Sequence, residues 1–185
     1  MGDMAKPLLP FLQRADEMAK ADPKVAYYCR MHAMEEGIRI PNRSDEMNEL
    51  LGLLMEQLES MKGGAALAGA EEDELYVENF ALKIFAKADR LDRSGKSDAK
   101  TAKMFYVSSV FIEVLNQFNE ISEDMGSKQR YAAWRAGEIS RAVKEGRLPP
   151  PPPDTSEAGQ DDGGIFSGDG FGSGSDGTRG GGVDG

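Results

Sequence analysis

The sequence predicts an all-α protein of two three-helix bundles followed by a disordered tail rich in proline and glycine. Three observations support this prediction. Apolar residues recur at three- and four-residue spacing along six segments. No segment alternates between polar and apolar residues for long, which argues against strands. From Pro149 onward, five consecutive prolines and a stretch of Gly, Ser and Asp offer little apolar surface to bury, so residues 149–185 are expected to be disordered.

The first bundle is predicted over residues 4–62 and begins with a helix at 8–21. Its second helix, at 22–40, has Asp22 as a suitable N-cap and Pro23 at the first helical position, where the missing N–H costs nothing. Apolar side chains cover more of this helix than a single stripe. It is therefore either the central helix of the bundle or a helix that keeps one face for a partner.

The third helix follows the N-cap candidate Ser44 and runs to about residue 62. Residues 63–70 are a glycine-rich linker that could form one short helical turn. The second bundle is predicted over 71–146, and similar residue strings about 75 residues apart suggest a duplicated module. Its helices are predicted at 71–91, 98–123 and 128–145, with a break at Gly126-Ser127.

The third helix allows two interpretations, because its apolar side chains fill a wide arc. The arc is either a broad core face against two neighbouring helices, or Leu51, Met55 and Leu58 edge a groove for another helix. Methionine suits an adaptable binding surface, and Glu59 would give that groove an acidic rim. The second interpretation therefore predicts a basic amphipathic helix as ligand.

The last predicted helix holds candidate anchors for a partner, Tyr131 and Trp134, together with Ile139. A single tryptophan is more often part of a core than of an interface, although interfaces are enriched in tryptophan. Both readings stay open for these side chains.

Charge and composition exclude several classes of protein. The segment after Leu148 carries six of the ten net negative charges, so the first 148 residues are only mildly acidic and show no sign of nucleic-acid binding. No apolar run is long enough to cross a membrane, and no signal peptide follows Met1. One cysteine cannot form an internal disulfide and fits a reducing compartment. A cytoplasmic protein is therefore expected.

The residues that could carry chemistry are few. Cys29 and His32, the only cysteine and histidine, share one helical face, but no further residue completes a nucleophile dyad or a metal site. We expect the pair to be packed in the core. Acidic clusters at 45–49 and 71–74 could hold a cation, but acids at helix starts are usually solvated and stabilised by the helix dipole. No cofactor site is predicted, and the protein is expected not to be an enzyme.

Several strings resemble a known family. They lie in Pro23-Lys24-Val25-Ala26-Tyr27-Tyr28-Cys29-Arg30, Leu54-Met55-Glu56-Gln57-Leu58-Glu59, Glu78-Asn79-Phe80-Ala81-Leu82-Lys83 and Lys128-Gln129-Arg130-Tyr131-Ala132-Ala133-Trp134. Together they resemble the LYST-interacting protein family, the Vta-type regulators of multivesicular body sorting. The resemblance covers roughly residues 5–148.

The resemblance implies two microtubule-interacting-and-transport (MIT) modules that bind helical C-terminal motifs of ESCRT-III subunits. In that family a disordered linker leads to a C-terminal segment that binds the AAA ATPase, and that segment is expected to be absent from this chain. By position, Met55 matches a groove residue of the first module and Trp134 a partner-contacting residue of the second. The resemblance implies an adaptor that is cytoplasmic and recruited to endosomes. The fragment given by this chain is expected to be a monomer. The alternatives are a generic helical scaffold, an obligate homodimer, or an all-α enzyme using Cys29 and His32.

Overall fold

The structure is a computed structural model that describes residues 3–154, and among these residues it contains helices and no strands. The prediction of an all-α fold is therefore confirmed. The α-helices are α1 (Leu9–Met18), α2 (Pro23–Arg39), α3 (Asp45–Met61), α4 (Ala70–Arg93), α5 (Ala99–Val114) and α6 (Glu123–Lys144). Short 3-10 helices, Asp3–Leu8 and Leu115–Gln117, precede α1 and follow α5. The predicted tail beyond Asp154 lies outside the described residues.

Side-chain caps fix where most of the helices start. The carboxylate of Asp22 accepts a hydrogen bond from the N–H of Val25 at 3.1 Å, and Pro23 occupies the first turn of α2 as predicted. The hydroxyl of Ser44 caps α3 in the same way. At α5, Asp98 and Thr101 form a reciprocal capping box. Each cap satisfies one of the backbone N–H groups that a helix start leaves without an intrahelical partner.

Two predicted helix boundaries in the second half are wrong. The run expected from 98 to 123 ends as an α-helix at Val114 and passes through one 3-10 turn. The last helix begins at Glu123 instead of residue 128, because Ser122 accepts a hydrogen bond from the N–H of Met125 at 3.2 Å and starts the helix earlier. Gly126 and Ser127 are thus inside α6 rather than in a break. Between α3 and α4 the chain makes hydrogen-bonded turns but no helix.

The helices pack in sequence order within each half of the chain. Helix α2 lies between α1 and α3, and α5 lies between α4 and α6. Helix α5 also contacts α1 and α2, so it is buried on nearly all sides over its second half. The main core cluster correspondingly contains residues from both halves, including Phe11, Cys29, Leu54, Val77 and Phe111. The division into modules at 4–62 and 71–146 stays a prediction, and the described residues up to Pro152 form one compact unit.

A buried carboxylate joins the two halves. Asp73, at the start of α4, is fully buried and accepts hydrogen bonds from Lys24 Nζ at 2.5 Å and Tyr28 Oη at 2.6 Å. The N–H of Ala68 lies 3.3 Å from both carboxylate oxygens. Burial alone raises the pKa of Asp73, but these hydrogen bonds outweigh it and hold the pKa below its usual range. The expectation that the acids at 71–74 are all solvated is therefore wrong for Asp73.

A second buried ion pair closes the far end of α4. Arg135 on α6 donates two hydrogen bonds to Asp92, Nε to Oδ2 at 2.6 Å and Nη2 to Oδ1 at 2.8 Å. Both side chains are 1% exposed. The same guanidinium donates to the carbonyl oxygen of Pro150 at 2.6 Å. This bond fixes where the chain leaves the bundle.

Candidate functional site

One candidate binding surface lies on α3. We define the α3 surface as Met55, Glu56 and Glu59. The Met55 side chain is 56% exposed, and both carboxylates are also exposed. Glu59 pairs with Lys62 Nζ at 2.6 Å, one turn further along the chain. A large exposed apolar side chain flanked by carboxylates is typical of a contact for an apolar residue with a basic neighbour.

The structure places two of the predicted groove residues in the core. Leu51 is 9% exposed and belongs to the main core cluster, and Leu58 is 3% exposed and packs with Tyr27 and Ala65. Both side chains serve the core because α3 packs along α2 through this part of its arc. Leu51 and Leu58, predicted to edge a groove for another helix, are therefore core residues in the structure. Contact of Met55 and Glu59 with a partner stays a prediction.

Helix α3 is acidic along its whole length. It carries five acidic residues and no basic one: Asp45, Glu46, Glu49, Glu56 and Glu59. All five are exposed. Such a helix attracts a positively charged segment, and the attraction is strongest at low salt because exposed charges are screened by ions.

A second candidate surface lies on α6. We define the aromatic platform as Tyr131 and Trp134, whose ring centroids are 5.8 Å apart. Trp134 is 48% exposed. Tyr131 is half-buried beneath it and contacts Phe85 and Phe105 edge-on, at centroid distances of 6.1 and 5.9 Å. The structure therefore brings these two predicted residues together, with Tyr131 supporting the tryptophan. The third candidate anchor, Ile139, is fully buried.

Two buried polar atoms at or near the aromatic platform have no hydrogen-bond partner among the described residues. The Tyr131 hydroxyl and Asp89 Oδ1 are buried and make no hydrogen bond. The other oxygen of Asp89 accepts from Arg93 Nε at 2.9 Å. Burial raises the pKa of Tyr131, and the carboxylates of Asp89 and Asp92 raise it further. Because most buried polar groups have partners, these two atoms are exceptions among the described residues.

The two surfaces differ in charge. Helix α6 carries five basic and three acidic residues, whereas α3 has no basic residue at all. Near the platform, Arg130 pairs with Glu123 and Glu138 with Arg141, so the exposed charges there are largely balanced. A ligand chosen by charge for the α3 surface would therefore not be the best ligand for the aromatic platform.

Cys29 and His32 are packed in the core. Cys29 has no exposed surface, and burial raises the pKa of its thiol to about 12, so the thiol is protonated at neutral pH. His32 is 2% exposed, and neither ring nitrogen makes a hydrogen bond. Its ring packs edge-on against Phe11, with centroids 4.5 Å apart. A protonated, buried thiol and an imidazole with no hydrogen bond do not form a nucleophile and base.

A basic groove that was not predicted from the sequence lies between α4 and α5. Four exposed lysines line it, and they are Lys83, Lys87, Lys100 and Lys103. The signal for it was present as lysines four and three residues apart on consecutive helices. Their convergence depends on how α4 and α5 pair, which spacing along the chain does not specify.

The described residues show neither a metal-binding cluster nor a membrane-spanning helix. They contain no group of three or more His, Cys, Asp or Glu side chains placed to hold a metal ion. None of the described helices has both the length and the apolar character that a membrane span requires.

Comparisons with known proteins give a consistent picture. The family described as "Vta1 like" matches residues 7–145. An Arabidopsis thaliana protein named as a homologue of mammalian LYST-interacting protein 5 is 50% identical over 149 residues, covering 80% of this chain and 35% of that protein. VTA1 homologues from Dictyostelium discoideum and Homo sapiens are each 37% identical, covering 83% and 75% of this chain and 29% and 46% of their own lengths. The chain thus spans between about a third and a half of these relatives.

A solved structure supports the fold. The N-terminal domain of S. cerevisiae Vta1 superposes with a TM-score of 0.66 at 17% sequence identity. The superposition covers 79% of this chain and 99% of that domain. At this identity the likeness concerns the fold alone.

Proposed function

Because this chain belongs to the Vta1-like family, we propose that its helical region is a non-enzymatic adaptor in vacuolar and endosomal protein sorting. It binds helical C-terminal segments of ESCRT-III subunits through two separate surfaces, the α3 surface and the aromatic platform. In a longer protein that continues beyond this chain, those contacts deliver ESCRT-III to the AAA ATPase. The adaptor acts in the cytoplasm and is recruited to endosomes.

The observation that carries the proposal is the pair of exposed anchors, Met55 and Trp134. Each is about half exposed on a helix whose other large apolar residues are mostly buried. Tryptophan is enriched among the residues that dominate binding energy, and methionine adapts to different apolar partners. The relatives whose names refer to vacuolar protein sorting give this binding its biological setting.

The chemistry of each surface specifies its ligand. The α3 surface suits an amphipathic helix with an apolar residue on Met55 and basic residues opposite Glu56 and Glu59. The aromatic platform suits a ligand that packs an apolar or aromatic side chain on Trp134. The two surfaces therefore select different ESCRT-III subunits.

A catalytic role for Cys29 and His32 is the less favoured alternative. The thiol pKa of about 12 leaves almost no thiolate at neutral pH, and the thiolate is the form that reacts. Slow alkylation of Cys29 in the folded protein is therefore expected, and alkylation as fast as that of a small-molecule thiol would favour the enzyme.

The test uses the full 185-residue chain and C-terminal peptides of ESCRT-III subunits, with binding measured by calorimetry. Met55→Asp should weaken the basic peptides at least tenfold and leave ligands of the other surface unchanged. Trp134→Asp should do the reverse. Truncating a central interface anchor typically costs about 2 kcal/mol or more, and tenfold corresponds to about 1.4 kcal/mol.

Matched controls use exposed apolar residues on the same helices. Leu53→Asp places the charge on α3 at a side chain that is 57% exposed but lies outside the α3 surface. Val143→Asp does the same on α6, where the side chain is 40% exposed. Equal weakening by the control and the test variant would show that charge alone, rather than the proposed contact, reduces binding. If no ESCRT-III peptide binds the folded chain, the proposal is wrong.

A further inference from the structure

The basic groove between α4 and α5 combines positive charge with apolar surface. Its four exposed lysines come in equal number from the two helices. The less exposed part of its lining is apolar and consists of Ile84, Met104 and Val107, which are half-buried. We call these three side chains the floor, and we define the basic groove as the four lysines and the floor. Its volume is about 560 Å³.

The lysines of the groove have no acidic neighbours on their own helices. On an α-helix such a neighbour would stand three or four residues away. At those positions, before and after each of the four lysines, there is no Asp or Glu. Other basic residues of the chain do have this partner, as Lys128 has in Asp124 and Arg93 in Asp89. The positive charge of the groove is therefore not balanced along either helix.

One carboxylate reaches the groove from α1. Glu17 Oε1 lies 3.6 Å from Lys103 Nζ. The same oxygen accepts a hydrogen bond from Arg14 Nη2 at 2.9 Å, so its charge is shared between two cations. The other three lysines of the groove form no salt bridge with any residue between 3 and 154. The fold thus gathers uncompensated positive charge at one place in a chain whose net charge is −10.

The apolar floor indicates which kind of anion fits the groove. A phosphate ion or a lipid headgroup is polar on every side and would not cover the floor. A membrane is broad and flat, whereas the floor side chains are half-buried in a groove and do not protrude to insert into it. An acidic amphipathic helix matches both parts, because it carries apolar side chains on one face and carboxylates beside them.

We propose that the basic groove binds an acidic amphipathic helix of a partner protein. The apolar side chains of that helix pack on the floor, and its carboxylates pair with the lysines on both sides. Exposed ion pairs contribute little each, so the floor provides much of the affinity and the lysines select the charge of the ligand. This contact does not depend on the function proposed above, because the α3 surface selects the opposite charge and the aromatic platform lies on another helix.

Methyl NMR of the full chain, titrated with an acidic model peptide, tests the proposal. The peptide consists of glutamates with leucines at three- and four-residue spacing, so a helix carries all its leucines on one face. Because Met104 lies in the floor, its methyl signal should shift and then saturate as the peptide is added. The methyl signal of Met55 on α3 should stay in place.

Charge changes in the groove should alter the affinity for this peptide. K83E/K87E should weaken binding about tenfold or more, and K83Q/K87Q, which removes the charge without reversing it, should weaken it less. The matched control K62E/K144E makes the same charge change at exposed lysines outside the groove and should leave the affinity unchanged at physiological salt, where distant charges are screened. All four lysines are exposed, so the variants should fold, and thermal unfolding checks this.

Changing the ligand separates the proposal from its alternatives. A peptide with serines in place of the leucines, or with lysines in place of the glutamates, should leave the Met104 signal in place. Vesicles of phosphatidylcholine and phosphatidylserine should show no binding that requires Lys83 and Lys87.

Four results would overturn the proposal. One is a Met104 signal that does not respond to the acidic peptide, and another is equal weakening by K83E/K87E and K62E/K144E. If the serine peptide bound as well as the leucine peptide, the groove would be a general anion site. If vesicle binding required the two α4 lysines, the groove would be a membrane contact.

Discussion

His32 is a buried imidazole whose surroundings favour its neutral form. Burial lowers its pKa, and although the nearby carboxylates of Glu36 and Glu113 oppose this shift, the pKa stays below its ordinary value. The unfolded chain therefore binds a proton below about pH 6.5 that the folded chain does not bind. Stability is fully present above that pH and declines as the pH falls toward the folded pKa. His32 therefore lowers the free energy of unfolding in mild acid.

Replacing His32 with phenylalanine should remove that penalty. Neither ring nitrogen has a partner, so His32→Phe breaks no hydrogen bond and keeps a ring against Phe11. Urea unfolding should show the variant at least as stable as the unmodified chain at pH 7.5. Between pH 7.5 and 5.5 the variant should lose up to about 1 kcal/mol less than the unmodified chain. Identical pH dependence in the two proteins would contradict this account.

Arg135 and Asp92 form a pair in which each side chain depends on the other. Arg135→Met leaves a buried carboxylate without its main partner, and Asp92→Leu leaves a buried guanidinium. Each single change should cost about 3–5 kcal/mol of the free energy of unfolding, measured by urea titration. The double variant R135M/D92L should be much more stable than either single variant. If the two losses simply add, the ion pair does not hold α4 and α6 together.

For the helices, the sequence predicted their number and positions better than the residues at which they begin and end. Asp22-Pro23 and Ser44 marked the starts of α2 and α3 correctly, because a cap is a local property. The start of α6 was missed although Ser122 is followed by two acids, because the pair Gly126-Ser127 suggested a break. Packing keeps the helix continuous there, because Gly126 is buried inside α6 and its tertiary contacts outweigh the low helix propensity of glycine.

The candidate surfaces were predictable only in part for the same reason. The periodicity of apolar residues predicted a wide apolar arc on α3. Which residues of that arc remain exposed depends on how α2 packs against α3, and Met55 is one that stays exposed. The tryptophan was identified as a candidate, and its half exposure follows from Tyr131 and Phe85 filling the space below it. The basic groove was not predicted, because it requires the pairing of α4 with α5, which no local pattern specifies.

Two glycines within helices should respond to alanine in opposite ways. At Gly126 an added Cβ would meet Arg130 Nη1 at 3.3 Å, the end of a flexible side chain, so Gly126→Ala should stabilise by about 0.5–1 kcal/mol. At Gly37 it would meet Leu51 Cδ2 at 2.6 Å in the core, so Gly37→Ala should destabilise by about 1–3 kcal/mol. Thermal unfolding of both variants checks the pair. A destabilised Gly126→Ala would argue against a continuous α6.

For the whole molecule, the shared core predicts one unfolding transition. Phe111 and Val114 of α5 belong to the same cluster as Phe11 and Cys29 of the first half, and Asp73 links α4 to α2. The two halves therefore lose their packing together, even if they are related as modules. Unfolding in one all-or-none transition is typical of small single domains.

The chain has a natural probe in each half for testing this. Fluorescence of Trp134, the only tryptophan, follows the second half, and protection of Cys29, the only cysteine, follows the first. In a urea titration both signals should change at the same denaturant concentration. Leu54→Ala, a core change in α3, should lower both midpoints equally. Midpoints that separate, or a Leu54→Ala effect on Cys29 alone, would show that the halves unfold independently.

The burial of α5 on nearly all sides has a practical consequence for dividing this protein. A cut in the turns between α3 and α4 would remove α1 and α2 from α5, whose Val110 and Val114 share a core cluster with residues of both helices. Neither fragment would then have a complete hydrophobic core, so each should be unstable or aggregate when it is expressed alone. Co-expressed fragments should recombine into a complex with the original structure. The chain is thus suited to split-protein complementation, with α5 as the element that recognises the missing piece.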